Sequence, residues 1–279
     1  MYEIEIIESG FFMADGGAMF GAIPKRAWSR KYQSISDNLC EMVMRCLFVI
    51  SDTKKILIDL GMGNKHLQQV AYYKPYNLAD IGEALNNYGY TLSDITDVII
   101  THLHFDHCGY ATVADLNGQA VPSFPNAKYW LSTKQWDVFQ HPNRLEKDSI
   151  FADNLQPVVD AGLLRLIDKD TLLYEGINIY LYDGHTNGQL VVCIQTNGGI
   201  ISFPGDLIPT SAHVSLDWIS AYDLCAITSV GEKERFLKKA VENNYTLIYY
   251  HDAYVIQSKV KCLNDNYKAI EQVYIKTKE

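Results

Sequence analysis

Apolar residues in this chain come in short runs broken by Gly, Asn and Asp, a pattern of strands joined by turns. The first eight residues alternate polar and apolar, which predicts a strand at Ile4–Ile7. Further runs predict strands at Met42–Ser51 and Lys55–Asp59, joined as a hairpin through Asp52-Thr53-Lys54 and followed by the turn Gly61-Met62-Gly63. Residues 77–85 carry apolar side chains at helical spacing, with Asn77 as the expected N-cap. Val98–Ile100 and Ala127–Leu131 read as strands, the second leading into a helix after Ser132-Thr133. Leu163–Ile167, Thr171–Leu173, Ile177–Tyr182, Leu190–Gln195 and Ile200–Phe203 form a second series of strands. A helix over Glu232–Val241 and a strand over Thr246–Tyr250 follow. With no repeat and no linker, the pattern predicts one domain over 1–279, two sheets packed face to face with helices outside.

Composition sharpens this. With 48% hydrophobic and 20% charged residues the chain can bury a sizeable core. A net charge of −9, and no basic run beyond pairs such as Lys25-Arg26 and Lys238-Lys239, argue against a nucleic-acid partner and polyanionic substrates. A neutral or weakly charged small molecule is the expected ligand. The N-terminus has no basic segment followed by a long apolar core, and no apolar run approaches the ~20 residues of a membrane span. A cytoplasmic protein without membrane association is expected. The six cysteines are scattered with no C-x-x-C pair, which favours free buried thiols over a cysteine zinc site.

The chemistry concentrates in Thr101-His102-Leu103-His104-Phe105-Asp106-His107-Cys108-Gly109, where three imidazoles and a carboxylate follow the apolar run Val98-Ile99-Ile100. Only 8 of 279 residues are His, so a chance cluster of this form is rare. His185 (after Tyr182-Asp183-Gly184), Asp206 (after Phe203-Pro204-Gly205) and His251 (after Tyr249-Tyr250) each stand just past an apolar run. Singly, each is an ordinary turn or cap residue. Together with the cluster, they are what a metal site at strand ends requires. Five imidazoles and two carboxylates without a thiolate suit borderline ions such as Zn²⁺, with Mn, Co or Fe compatible by ligand type.

This ordered set, His102-x-His104-x-Asp106-His107 followed by His185, Asp206 and His251, resembles the metallo-β-lactamase superfamily. The resemblance implies an α+β fold, the four-layer αβ/βα sandwich. It implies that His102, His104 and His185 hold one metal, that Asp106, His107 and His251 hold a second, and that Asp206 bridges both. Asp59, in the turn Ile58-Asp59-Leu60-Gly61, matches the family's acidic turn residue and is expected to orient a ligand from behind. The flavodiiron branch carries Glu where His104 stands, so an iron redox role is not expected. His66 and His141 are expected at the surface.

Within the superfamily, Asp15-Gly16-Gly17-Ala18-Met19-Phe20-Gly21-Ala22-Ile23-Pro24-Lys25 resembles the N-terminal motif of quorum-quenching N-acyl-homoserine lactonases and methyl parathion hydrolases. Segments 205–213 and 218–223 resemble the same group. That likeness implies hydrolysis of a lactone, N-acyl-homoserine lactone or similar, by a hydroxide shared between two metals, with Asp106 and Asp206 catalytic. The alternative is a phosphotriester or aryl-ester hydrolase using the same site. Met19, Phe20, Trp28, His213, Trp218 and Tyr222 are the expected substrate-binding residues, and a homodimer is compatible with the group. Many acyl-homoserine lactonases carry a Tyr where this chain has Pro209; Tyr222 and His213 are the candidates to replace it. Asn187 and Gln189 depart from the family's usual Pro and frequent His. A glyoxalase II role is disfavoured, because the C-terminal lysines (Lys259, Lys261, Lys268, Lys276, Lys278) form no basic helix. A non-catalytic metal-binding protein is disfavoured by the completeness of the ligand set.

Overall fold

The computed structural model describes residues 1–275, so Lys276 and Lys278 lie outside the described residues. The strands in chain order are β1 (Glu3–Asp15), β2 (Leu39–Ile50), β3 (Lys55–Ile58), β4 (Asp97–Ile99), β5 (Thr112–Ala114), β6 (Ala120–Pro122), β7 (Lys128–Ser132) and β8 (Leu164–Ile167). They continue with β9 (Thr171–Tyr174), β10 (Ile177–Tyr182), β11 (Gln189–Thr196), β12 (Gly199–Phe203), β13 (Thr246–Ile248), β14 (Val255–Leu263) and β15 (Asn266–Tyr274). The helices are α1 (Gly16–Phe20), α2 (Lys25–Trp28), α3 (Ile81–Asn86), α4 (Phe105–Cys108), α5 (Thr133–Gln140), α6 (Gln156–Asp160) and α7 (Ala226–Glu242). Among the described residues no helix is long and apolar enough to cross a membrane.

The chain divides into two compact units, the first comprising Met1–Phe11 and Met44–Asp170, the second Phe12–Val43 and the chain from Thr171. The first is organised by a six-stranded sheet in the order β1-β2-β3-β4-β7-β8. The expected hairpin is present: β2 and β3 pair antiparallel, Ile50 opposite Lys55, while β3, β4, β7 and β8 run parallel. Parallel neighbours need crossover segments, and α3, α5 and α6 lie in them. Phe48, Leu57, Val98, Ile100, Tyr129 and Leu131 form the core with Ile81, Leu85 and Val158 from those helices.

The helix expected over 77–85 begins later. Asn77 sits in the left-handed region at φ 48, and Asp80 caps α3 by accepting the Glu83 N–H at 3.0 Å. Ser132 caps α5 through the Gln135 N–H at 3.0 Å, where the sequence placed that helix.

The second unit carries a seven-stranded sheet in the order β15-β14-β13-β12-β11-β10-β9, antiparallel except where β12 meets β13. Its core joins Tyr182, Val191, Leu247 and Tyr249 to Phe236, Leu237 and Ala240 of α7. The β14–β15 hairpin was not expected from the sequence. Its turn is Asn264-Asp265, both left-handed (φ 50 and 57), the conformation a two-residue hairpin turn demands and Asn and Asp tolerate.

Candidate metal centre

In the first unit the parallel strand β4 delivers Thr101 and His102 past its end, and the chain turns at His104 into the single turn of α4, which carries Asp106 and His107. The segment is fixed from outside: the side-chain oxygen of Gln135 accepts the Leu103 N–H at 2.9 Å. It is also packed against the turn after β3, where the Leu60 N–H donates to the His107 carbonyl and the Gly109 N–H to the Gly61 carbonyl, both at 2.8 Å. Gly109 is required there, because a Cβ would lie 2.0 Å from the Met62 carbonyl oxygen.

His102, His104, Asp106 and His107 are brought together. His102 Nε2 lies 3.0 Å from His104 Nδ1. Ligand-type atoms of His102 and His107, and of Asp106 and His107, fall within 4.8 Å of each other. His102 and His107 each have their other nitrogen committed. His102 Nδ1 meets the Thr101 hydroxyl at 3.0 Å, and His107 Nδ1 meets Asp59 Oδ2 at 2.8 Å. His104 Nε2 faces the buried Glu146 carboxylate at 3.6 Å, and Glu146 is itself held by the Asn143 side chain.

Asp59 is fully buried, at φ 53 in the left-handed region, where a non-glycine residue is strained. Its carboxylate accepts the Thr101 N–H and hydroxyl, both at 2.8 Å, besides His107. Burial pushes the carboxyl up from its ordinary value, and these donors, His107 foremost, pull it back towards the ionised form. Cys108, next in the chain, points elsewhere. Its thiol donates to the Leu103 carbonyl at 3.5 Å, and burial pushes its pKa up to about 12.

In the second unit, His185, Asp206 and His251 follow β10, β12 and β13. Asp206 offers one carboxylate oxygen to each imidazole: Oδ2 lies 3.4 Å from His185 Nε2 and Oδ1 3.4 Å from His251 Nε2. The Nδ1 atoms are again anchored, His185 on Asp223 Oδ1 at 2.9 Å and His251 on the Val43 carbonyl at 3.0 Å. The departures from the family pattern have structural work: Gln189 donates to the Pro204 carbonyl at 3.0 Å, and the Pro209 carbonyl accepts the His251 N–H at 3.0 Å. This donor chemistry fits a divalent cation. Anchoring one nitrogen fixes the tautomer, so in the first unit His102 and His107, and in the second His185 and His251, leave Nε2 as the ligating atom.

The expected substrate-binding residues separate. Phe20, Trp28 and His213 are buried: they are 0%, 1% and 1% exposed, and Phe20 stacks on both Trp28 and His213 at 5.1 Å. Met19 is also buried, Trp218 is half-buried beneath Lys31, and Tyr222 is exposed. His213 cannot replace the tyrosine absent at Pro209, because Nδ1 meets the Thr210 hydroxyl at 2.7 Å and Nε2 the Met19 carbonyl at 2.8 Å. His66 is half-buried, stacking on Phe151 and pairing with Asp153 at 2.7 Å, whereas His141 is exposed.

Burial and then the Lys233 charge push His213 down to about 4, so it is neutral at pH 7. An unfolded histidine titrates near 6.5, so between those values the unfolded chain binds the extra proton and stability falls with pH. The loss by pH 4 is roughly 3 kcal/mol. The unfolding midpoint of the wild-type chain is expected to drop more steeply from pH 6.5 to 4 than that of His213→Gln; parallel curves would contradict this account.

Residues 45–251 match the family model described as the metallo-beta-lactamase superfamily. The chain belongs to that superfamily and has its fold. A crystal structure of a probable metal-dependent hydrolase from Staphylococcus aureus is 29% identical and aligns over 98% of both chains with a TM-score of 0.86. The dizinc quorum-quenching lactonase AidC, solved with the product N-hexnoyl-L-homoserine, is 22% identical and aligns over 99% of this chain and 96% of that one, with a TM-score of 0.78. An N-acyl homoserine lactonase of Bacillus cereus is 24% identical over 170 residues, 57% of this chain and 61% of that protein. The chain thus spans about 61% of the length of that curated relative.

Proposed function

We propose that the two ligand sets serve one dinuclear centre in a single hydrolase domain, and that the reaction is opening of a lactone ring, N-acyl-homoserine lactone or similar. His102, His104 and His185 would hold one cation, Asp106, His107 and His251 the other, and Asp206 would reach both. The observation that carries this is the Asp206 fork, with one oxygen 3.4 Å from each of two imidazoles whose far nitrogens are anchored. Two Zn²⁺ ions are the expected occupants, and when bound they supply Lewis acidity that polarises a carbonyl and makes water a nucleophile near neutral pH. Asp106, 4.0 Å from His107 and 13% exposed in its side chain, would orient the attacking water and carry its proton towards the leaving alkoxide. Trp218 and Tyr222 offer apolar surface for an acyl chain. The net charge of −9 supports an uncharged substrate, and the free cysteines, four of them buried, support a cytoplasmic location.

Pro209, with His213 spent on Thr210 and Met19, favours a second reading, in which a phosphotriester or aryl ester needs no tyrosine. A pH-stat assay over lactones, p-nitrophenyl esters and a phosphotriester decides between them. Lactone opening is expected to have the highest kcat/KM, to stop on chelation and to return with zinc. A higher kcat/KM for the phosphotriester would establish the second reading, and activity indifferent to chelation would overturn both.

A further inference from the structure

The turn that presents His185 is gripped by the segment leading into α7 and by that helix's first two turns. Glu232, on the second turn, accepts the Asp183 N–H at 2.8 and 3.0 Å through its two oxygens, and the Gly184 N–H at 2.8 Å. The Cys225 N–H donates to the Gly184 carbonyl at 3.0 Å and the Leu224 N–H to the His185 carbonyl at 3.1 Å. Gly184 lies so close to the helix that a Cβ there would stand 2.4–2.5 Å from Ser229 atoms, two of them backbone. Asp223, just before the helix, takes His185 Nδ1 at 2.9 Å. The helix is anchored in turn, since the buried Lys233 ammonium donates to the Ser215 and Trp218 carbonyls at 3.0 and 2.7 Å.

We propose that Glu232 is a positioning residue for the metal site: it never reaches the metal, but by binding two successive backbone N–H groups ahead of His185 it fixes where Nε2 points. The residue is suited to this. A carboxylate has acceptor capacity for both amides with no donor to clash, and it sits on a 17-residue helix, a rigid mount. Glutamine in its place would bring an NH₂ group against the Asp183 N–H or leave one oxygen to serve both amides, and alanine would leave two amides without their acceptor.

This rests on the reading of His185 as a metal ligand, and the experiment keeps the two apart. Zinc affinity is measured by competition with a chromophoric chelator, and ligand geometry by the visible spectrum of the cobalt-loaded protein, for wild type, Glu232→Ala, Glu232→Gln, His185→Ala and Phe236→Leu. Partners that orient metal ligands typically account for 10–100-fold in affinity. Glu232→Ala is therefore expected to weaken zinc binding about ten-fold or more and to alter the cobalt spectrum, with Glu232→Gln intermediate. Phe236→Leu, a core change on the same helix, should lower thermal stability while leaving both readouts as in wild type. Wild-type affinity and spectrum in Glu232→Ala, with His185→Ala defective, would overturn the positioning role alone. Wild-type metal binding in His185→Ala would overturn the ligand assignment and the positioning role together. An equal loss in Phe236→Leu would reduce the Glu232 effect to general destabilisation and overturn the proposal.

Discussion

Asp206→Asn should abolish turnover while leaving the fold in place. The carboxylate presents one oxygen to His185 and one to His251; an amide keeps a single neutral oxygen, so both roles lose the negative charge and one of them loses its oxygen altogether. Residues that merely orient metal ligands are worth 10–100-fold, so loss of the shared ligand should cost more than about 100-fold in kcat/KM. The far-ultraviolet circular dichroism should be unchanged, because Asp206 lies in a short turn past β12 and outside the strands and long helices. Wild-type rates at saturating zinc would remove the proposed centre.

The second large effect is expected at Asp59, which touches no proposed metal position. Asp59→Ala strips acceptors from three donors in the interior: the Thr101 N–H, the Thr101 hydroxyl and His107 Nδ1. Each buried donor left unsatisfied costs about 1–3 kcal/mol, so stability should fall by roughly 3 kcal/mol or more. His107 also loses the partner that fixes its tautomer, and zinc affinity should drop 10–100-fold. Urea unfolding of the metal-free protein reads the first effect and chelator competition the second. A variant that loses stability yet binds zinc as wild type would confine Asp59 to the fold.

The first half of the ligand set was legible because it is contiguous: four of the proposed ligands lie within six residues, after a strand whose apolar run is unambiguous. Asp59 was legible only through the family resemblance, as the match to the family's acidic turn residue. The anchors of the second half could not, since Asp223 is 38 residues from His185 and Glu232 is 49 from Asp183, and an isolated acid in a loop or on a helix carries no local mark of its partner. Glu146 gave no signal either; it is a buried carboxylate in an outwardly polar loop. Sequence reasoning also treated the aromatics of the 11–28 segment as pocket lining, because an apolar loop that faces a ligand and one that packs on itself have the same composition. Phe20 and Trp28 are buried, which composition alone did not tell. The helix start moved from Asn77 to Asp80 for a local reason: both residues can cap, and only Asp80 has extended backbone where the cap is needed.

Cys108 stands beside His107 in the chain and takes no part in the donor set. Its thiol is turned to the Leu103 carbonyl and kept protonated by its surroundings, with a pKa of about 12. A thiolate at that position would draw soft, toxic cations and would be an early target of peroxide. With that sulfur held neutral, the proposed nitrogen–oxygen donor set should resist both poisoning by soft metals and oxidation at this position.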